Sequence, residues 1–121
     1  MNIIIQAQGF ELTDALRAHT LRRLQFSLHW AGRDVTQIQV RLADINGPKG
    51  GLDKRCHLQI RLSNDTDVSV EDTEDDLYVA IDRAIERSKR SITRKLERKR
   101  AQRVAFAYLR THPLQTIGAE K

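Results

Sequence analysis

Residues 54–62 read Lys54-Arg55-Cys56-His57-Leu58-Gln59-Ile60-Arg61-Leu62. Cys56, Leu58, Ile60 and Leu62 point one way along an extended chain, and Arg55, His57, Gln59 and Arg61 the other. That period of two belongs to a strand with one face buried and one wet. Residues 35–43 repeat it, with Ile38, Val40 and Leu42 opposed to Gln37, Gln39 and Arg41. The intervening Asn46-Gly47-Pro48-Lys49-Gly50-Gly51 has the composition of a hairpin loop. Walker spacing is absent from it and no helix follows, so it is not a phosphate loop.

On the N-terminal side, Ile3 and Ile5 alternate with polar or shorter neighbours in a first strand over residues 2–8. Leu12 precedes Thr13, an N-cap with an apolar residue before it. From Asp14 to about His29, Leu16, Leu24 and Leu28 recur at helical spacing, with Thr20 on the same row and Leu21 beside it. Arg17 falls inside that arc and has to snorkel. Ala31-Gly32 ends the helix.

On the C-terminal side, Ser63-Asn64-Asp65 makes a turn, and Val68 and Val70 mark a short fourth strand. Thr73-Glu74-Asp75-Asp76 reads as a capping box. The helix behind it runs to about Arg103, with Leu77, Ile81, Ala84, Ile85, Ser88 and Ile92 as its apolar stripe. Lys95 and Lys99 then occupy the stripe's row, so the helix is expected to outrun the sheet. The expected fold is α+β, ordered β-α-β-β-β-α. Its four-stranded mixed sheet opens with a parallel pair and carries two helices packed on one face. Residues 1–103 form the domain and 104–121 a partly flexible C-terminal tail. In that tail Val104, Phe106, Tyr108 and Leu109 could add a helical turn or two before Pro113 and Gly118.

The 121-residue length suits one domain, and the net charge of +5 suits an anionic partner. The lone Cys56 excludes an internal disulfide. No apolar run reaches the roughly 20 residues of a membrane span, and the N-terminus lacks the pattern of a signal peptide. A cytoplasmic protein without membrane contact is expected.

Charge is unevenly distributed. Residues 63–76 hold seven acids and no base, whereas residues 83–103 hold ten bases against Glu86 and Glu97. On a helical wheel Arg83, Arg87, Arg90, Arg94 and Arg98 fall within roughly 80° of one another. Lys89 lies on the opposite flank of the stripe, and Lys95 extends the charge. Solvation with dipole complementation accounts only for bases in the last turn. Glu86–Arg90 is the one well-oriented pair of opposite charges four apart. The remaining arginines repel one another and offer forked donors that suit phosphate oxygens. The first helix adds Arg17, Arg22 and Arg23. The pattern points to recognition of RNA shape and backbone, and the outward strand faces lack the aromatics of a stacking platform.

Catalytic chemistry is missing. Cys56 sits on the inward face, and His57 points to the other side of the strand. His19, His29, His57 and His112 have no zinc-like spacing, and the acids at 71–76 lack a calcium loop's pattern. No enzyme activity, cofactor, metal or small-molecule substrate is expected.

Two stretches resemble a known family. Leu12-Thr13-Asp14-Ala15-Leu16-Arg17 opens the first helix, and Asp76-Leu77-Tyr78-Val79-Ala80-Ile81-Asp82 leads into the long basic one. With the element order, they resemble the bacterial ribosome hibernation-promoting factors and ribosome-associated inhibitors, formerly called sigma-54 modulation proteins. The resemblance covers residues 1–103 and is to the short type. It implies an architecture similar to a double-stranded RNA-binding domain. It also implies docking on 16S rRNA of the small ribosomal subunit at the decoding region, blocking the mRNA and tRNA sites in a hibernation or stress response. Arg17, Arg23, Arg87, Arg90, Arg94 and Arg98 match the family's contact positions. Arg22, Arg83, Lys89 and Lys95 rest on the charge argument alone. A monomer is expected when free, and the resemblance leaves open whether ribosome pairing is promoted or prevented. The alternatives are a general duplex-RNA module and a protein-interaction regulator of transcription.

Overall fold

The computed structural model describes residues 1–45, 53–63 and 65–112. The loop expected at 46–51, Asn64 of the expected turn, and Pro113 and Gly118 lie outside the described residues. The chain divides into two compact units, Met1–Ser91 and Ile92–Lys121.

The first unit contains β1 (Asn2–Gln8), α1 (Asp14–Leu28), a 3₁₀ turn (His29–Ala31), β2 (Val35–Asp44), β3 (Lys54–Leu62) and β4 (Asp67–Glu74). Helix α2 (Leu77–Thr111) begins in it. The sheet order is β1-β2-β3-β4. The β1–β2 pair is parallel and the other two pairs are antiparallel, which is the expected mixed sheet with α1 as its crossover.

Alternation produces a two-faced sheet. Ile38, Val40 and Leu42 of β2 and Cys56, Leu58, Ile60 and Leu62 of β3 are buried, together with Leu16, Leu24 and Leu28 of α1 and Ala80, Ile81, Ala84 and Ile85 of α2. Both helices pack on this face, while Arg41, Gln59 and Arg61 on the other are exposed. A register irregularity between Val35 and Gln37 interrupts the period and lets Val35 be buried as well.

Local chemistry sets the ends of the elements. Thr13 Oγ1 accepts from Leu16 N at 3.1 Å and caps α1 as expected. The turn after β3 is held by Asp65 N donating to Leu62 O at 3.0 Å and Leu62 N donating to Thr66 O at 2.8 Å. Asp65 has φ 64°, a left-handed conformation that aspartate tolerates. Gly9 adopts φ +89°, which L side chains rarely take, and a Cβ there would lie a tight 3.1 Å from Asp44 O. At the loop end of the β2–β3 hairpin, Lys54 Nζ lies 3.1 Å from Asp53 Oδ1 and 3.3 Å from Asp44 Oδ1. The hydrogen bond to Asp53 is the main reason the ammonium pKa is raised.

Three local expectations are corrected. Arg17 is exposed, because the buried face of α1 consists only of Leu16 and Thr20 at its start and widens to Leu24, Ser27 and Leu28 further on. Thr73 and Glu74 are strand residues, since the β3–β4 ladder continues to Lys54↔Glu74. The helix cap is Asp76, whose Oδ1 accepts from Tyr78 N at 2.8 Å. Finally, α2 continues to Thr111 and does not end near Arg103. Nothing between those residues breaks a helix, and alanines at 101, 105 and 107 favour one.

In the second unit the described residues are helical from Ile92 to Thr111. Ile92 is buried, and every residue from Ala101 to His112 is exposed. His112 N donates to Tyr108 O at 2.8 Å, and its ring stacks on Tyr108 with centroids 4.1 Å apart. Among the described residues, no helix is long and apolar enough to cross a membrane.

Candidate nucleic-acid interface

In the first unit, the expected basic residues come from two helices joined at one carboxylate. His19 Nε2 lies 2.8 Å and Arg23 Nε 3.1 Å from Asp82 Oδ1 of α2. The Tyr78 ring meets His19 edge-on at 4.8 Å. His19 and Arg23 are one turn apart on α1, so a single acid on α2 can engage both. Arg23 Nε is buried but not aligned for a hydrogen bond to that acid. Neither His19 nor Asp82 stood out as important in the sequence, although Asp82 closes the motif that opens α2.

Arg83 and Arg87 reach toward β4. Arg83 Nε is 3.7 Å from Glu74 Oε2. Arg87 Nη1 donates to the Glu71 carbonyl at 2.6 Å and lies 3.7 Å from Asp72 Oδ1. Thus Asp72 and Glu74, the latter read from sequence as part of a helix cap, are edge-strand partners of the arginines. The neutralisation is partial. Arg83 and Arg87 side chains are 66% and 52% exposed, and exposed pairs at such distances contribute little. A phosphate could take over these guanidiniums at small cost.

The carboxylates themselves are crowded. Burial, followed by the charge and hydrogen bond of Asp72, raises the Glu74 pKa, and Arg83 only partly opposes this. Arg23, Arg83, Arg87 and Arg90 line a cleft of about 360 Å³ with Asp72, Asp82 and Glu86. Arg90 is exposed. No ion pair joins it to Glu86 among the described residues, so the expected stabilising pair does not form.

Arg17 and Arg22 are exposed on α1, and Lys89 on α2. Arg22 borders a hollow with Gln25, Phe26 and His29, where Phe26 is 81% exposed. A surface aromatic beside an arginine is a feature the sequence reading missed by looking for aromatics only on the strands. In the second unit, Arg94 and Arg98 are exposed one turn apart, and Lys95 is half-exposed. Among the described residues, no group of His, Cys, Asp and Glu could hold a metal ion.

Comparison with known proteins gives this fold a family. The family described as "Sigma 54 modulation protein / S30EA ribosomal protein" matches residues 3–100. This chain belongs to that family. The S30EA chain is similar to the crystal structure of the Protein Y N-terminal domain from Thermus thermophilus, with 30% identity and a TM-score of 0.64. That match covers 78% of this chain and 98% of the other. A ribosomal subunit interface protein from Coxiella burnetii shares the fold, with 18% identity, a TM-score of 0.66, and coverage of 80% and 99% respectively. A search of curated protein sequences returned no match. The resemblance read from the two helix-opening stretches is therefore borne out at the level of family.

Proposed function

We propose that this S30EA chain is a ribosome-associated translation inhibitor that binds 16S rRNA of the small subunit at the decoding region and blocks the mRNA and tRNA sites. The observation that carries the reading is the set of arginines along α2, exposed where the apolar stripe does not bury them. Family membership supports a ribosomal partner. The proposed contacts are Arg17, Arg22, Arg23, Arg83, Arg87, Lys89 and Arg90 in the first unit and Arg94, Lys95 and Arg98 in the second. Residues 1–103 act as the binding domain. The mechanism is steric and electrostatic: guanidiniums neutralise phosphates, positioning the domain without reading base sequence. No catalytic step, metal or cofactor is assigned, and the working compartment is the bacterial cytoplasm.

Replacing Arg87, Arg90 and Arg94 together by Glu is expected to abolish co-sedimentation with 30S subunits while the circular dichroism of the fold is retained. Undiminished binding by a folded triple variant would remove the helix from the mechanism. Equal affinity of the parent protein for arbitrary RNA duplexes and for 30S subunits would instead favour a general duplex-binding module.

A further inference from the structure

The outer sheet face carries polar groups that the helix-side interface does not use. Strand register places Gln6, Arg41, His57 and Glu71 in one transverse row across the four strands, and Gln8, Ala43, Arg55 and Thr73 in the next. Around the short side chain of Ala43 the surface dips into a hollow of about 760 Å³, lined by Gln6, Gln8, Arg41, Arg55, His57 and Glu71. Small-ligand sites are of this size, roughly 300–1,000 Å³.

The charges in the hollow are incompletely matched. Arg41 is exposed and has no hydrogen-bond or ion-pair partner among the described residues. Arg55 Nη1 lies 4.0 Å from Glu71 Oε2, the outer limit of an ion pair. His57 Nε2 lies within hydrogen-bond reach of Ser69 Oγ, at 3.0 Å. The lining thus holds one carboxylate and two guanidiniums. Two glutamine amides on β1 add donors and acceptors suited to sugar hydroxyls or base edges. Without an aromatic in the hollow, recognition falls on phosphate oxygens and hydrogen bonds and not on stacking.

We propose that this hollow binds a nucleotide through its phosphate, held by Arg41 and Arg55, with Gln6 and Gln8 toward the sugar and base. Glu71 competes with the phosphate for Arg55, so affinity is modest and the site empties readily. The nucleotide is either free or one residue of an RNA strand passing over the sheet. The inference rests on the outer face alone and stands apart from the reading of the helices.

The test is an NMR titration of the full-length isotope-labelled chain with adenosine monophosphate and, separately, with a short oligouridylate. Saturable shifts are expected at the Gln6 and Gln8 side-chain amides and the His57 ring. Response to the mononucleotide identifies a free-nucleotide site, and response to the oligonucleotide alone identifies an RNA-strand site; either supports the proposal. Arg41→Ala is expected to weaken binding about tenfold, the worth of a charged hydrogen bond, and exposure of this side chain lets the fold survive. The Arg87, Arg90 and Arg94 triple variant should keep the shifts, which separates this site from the ribosome contact. Absence of shifts at those residues with both probes, or shifts that Arg41→Ala leaves at full affinity, would overturn it.

Discussion

Cys56 lies fully buried on β3, facing Leu42 of β2 and Asp72 of β4 across the ladders. Burial first, and the negative charge of Asp72 second, push its thiol pKa up to about 12. Because only the thiolate attacks alkylating reagents, the native protein is expected to resist iodoacetamide at about pH 8 and to react only as it unfolds. Rapid labelling of folded protein, followed by mass spectrometry, would contradict this. Glu74 makes a different prediction. Its raised pKa means the folded state holds the proton more tightly than the unfolded chain does. Its ionisation therefore costs stability above that pKa, and the cost disappears as pH falls toward the ordinary glutamate range. Glu74→Gln is expected to be more stable than the parent in urea melts at neutral pH, with the gap closing on acidification. A variant less stable at neutral pH would show that the Arg83 pair outweighs burial and the Asp72 charge.

At the scale of the element, the Asp76 side chain caps the start of α2. Asp76 Oδ1 accepts from Tyr78 N, and its carbonyl accepts from Ala80 N at 3.0 Å. Asp76→Ala is expected to cost about 1 kcal/mol in chemical denaturation, the usual worth of an N-cap. Thr73→Ala should cost much less if the cap is where the structure places it. Comparable losses from both would restore the capping box that the sequence suggested. The strand before this helix shows why the two differ: a ladder partner for each residue through Glu74 outweighs a local hydrogen bond available to Thr73.

At the scale of the whole molecule, the two charge runs carry the functional expectation. If about six guanidiniums neutralise six rRNA phosphates, the logarithm of the 30S association constant should fall with the logarithm of salt at a slope of roughly −4 to −5. Sedimentation or fluorescence titrations over a salt series measure that slope. A slope near zero would mean that the partner is held by apolar or neutral contacts and that the arginines face only water. The acids of β4 temper the same balance. They occupy part of the charge of Arg83 and Arg87 in the free protein, so the net gain from each phosphate contact there is smaller than at Arg90.

Period alone determined the element types, the two-faced sheet and the inward Cys56, because a side chain's direction on a strand or helix follows from its position along the backbone. The same periodicity located the arginine row on α2, and short motifs carried the family. Partnership between distant residues was decided only in three dimensions. That Asp82 would join His19 to Arg23, and that β4 would set its acids against Arg83 and Arg87, depends on which edges the sheet brings beside the helices. So does the grouping of Gln6, Arg41, Arg55 and His57 around one hollow. Wheel and strand patterns describe each element's faces; strand order and register choose which faces meet.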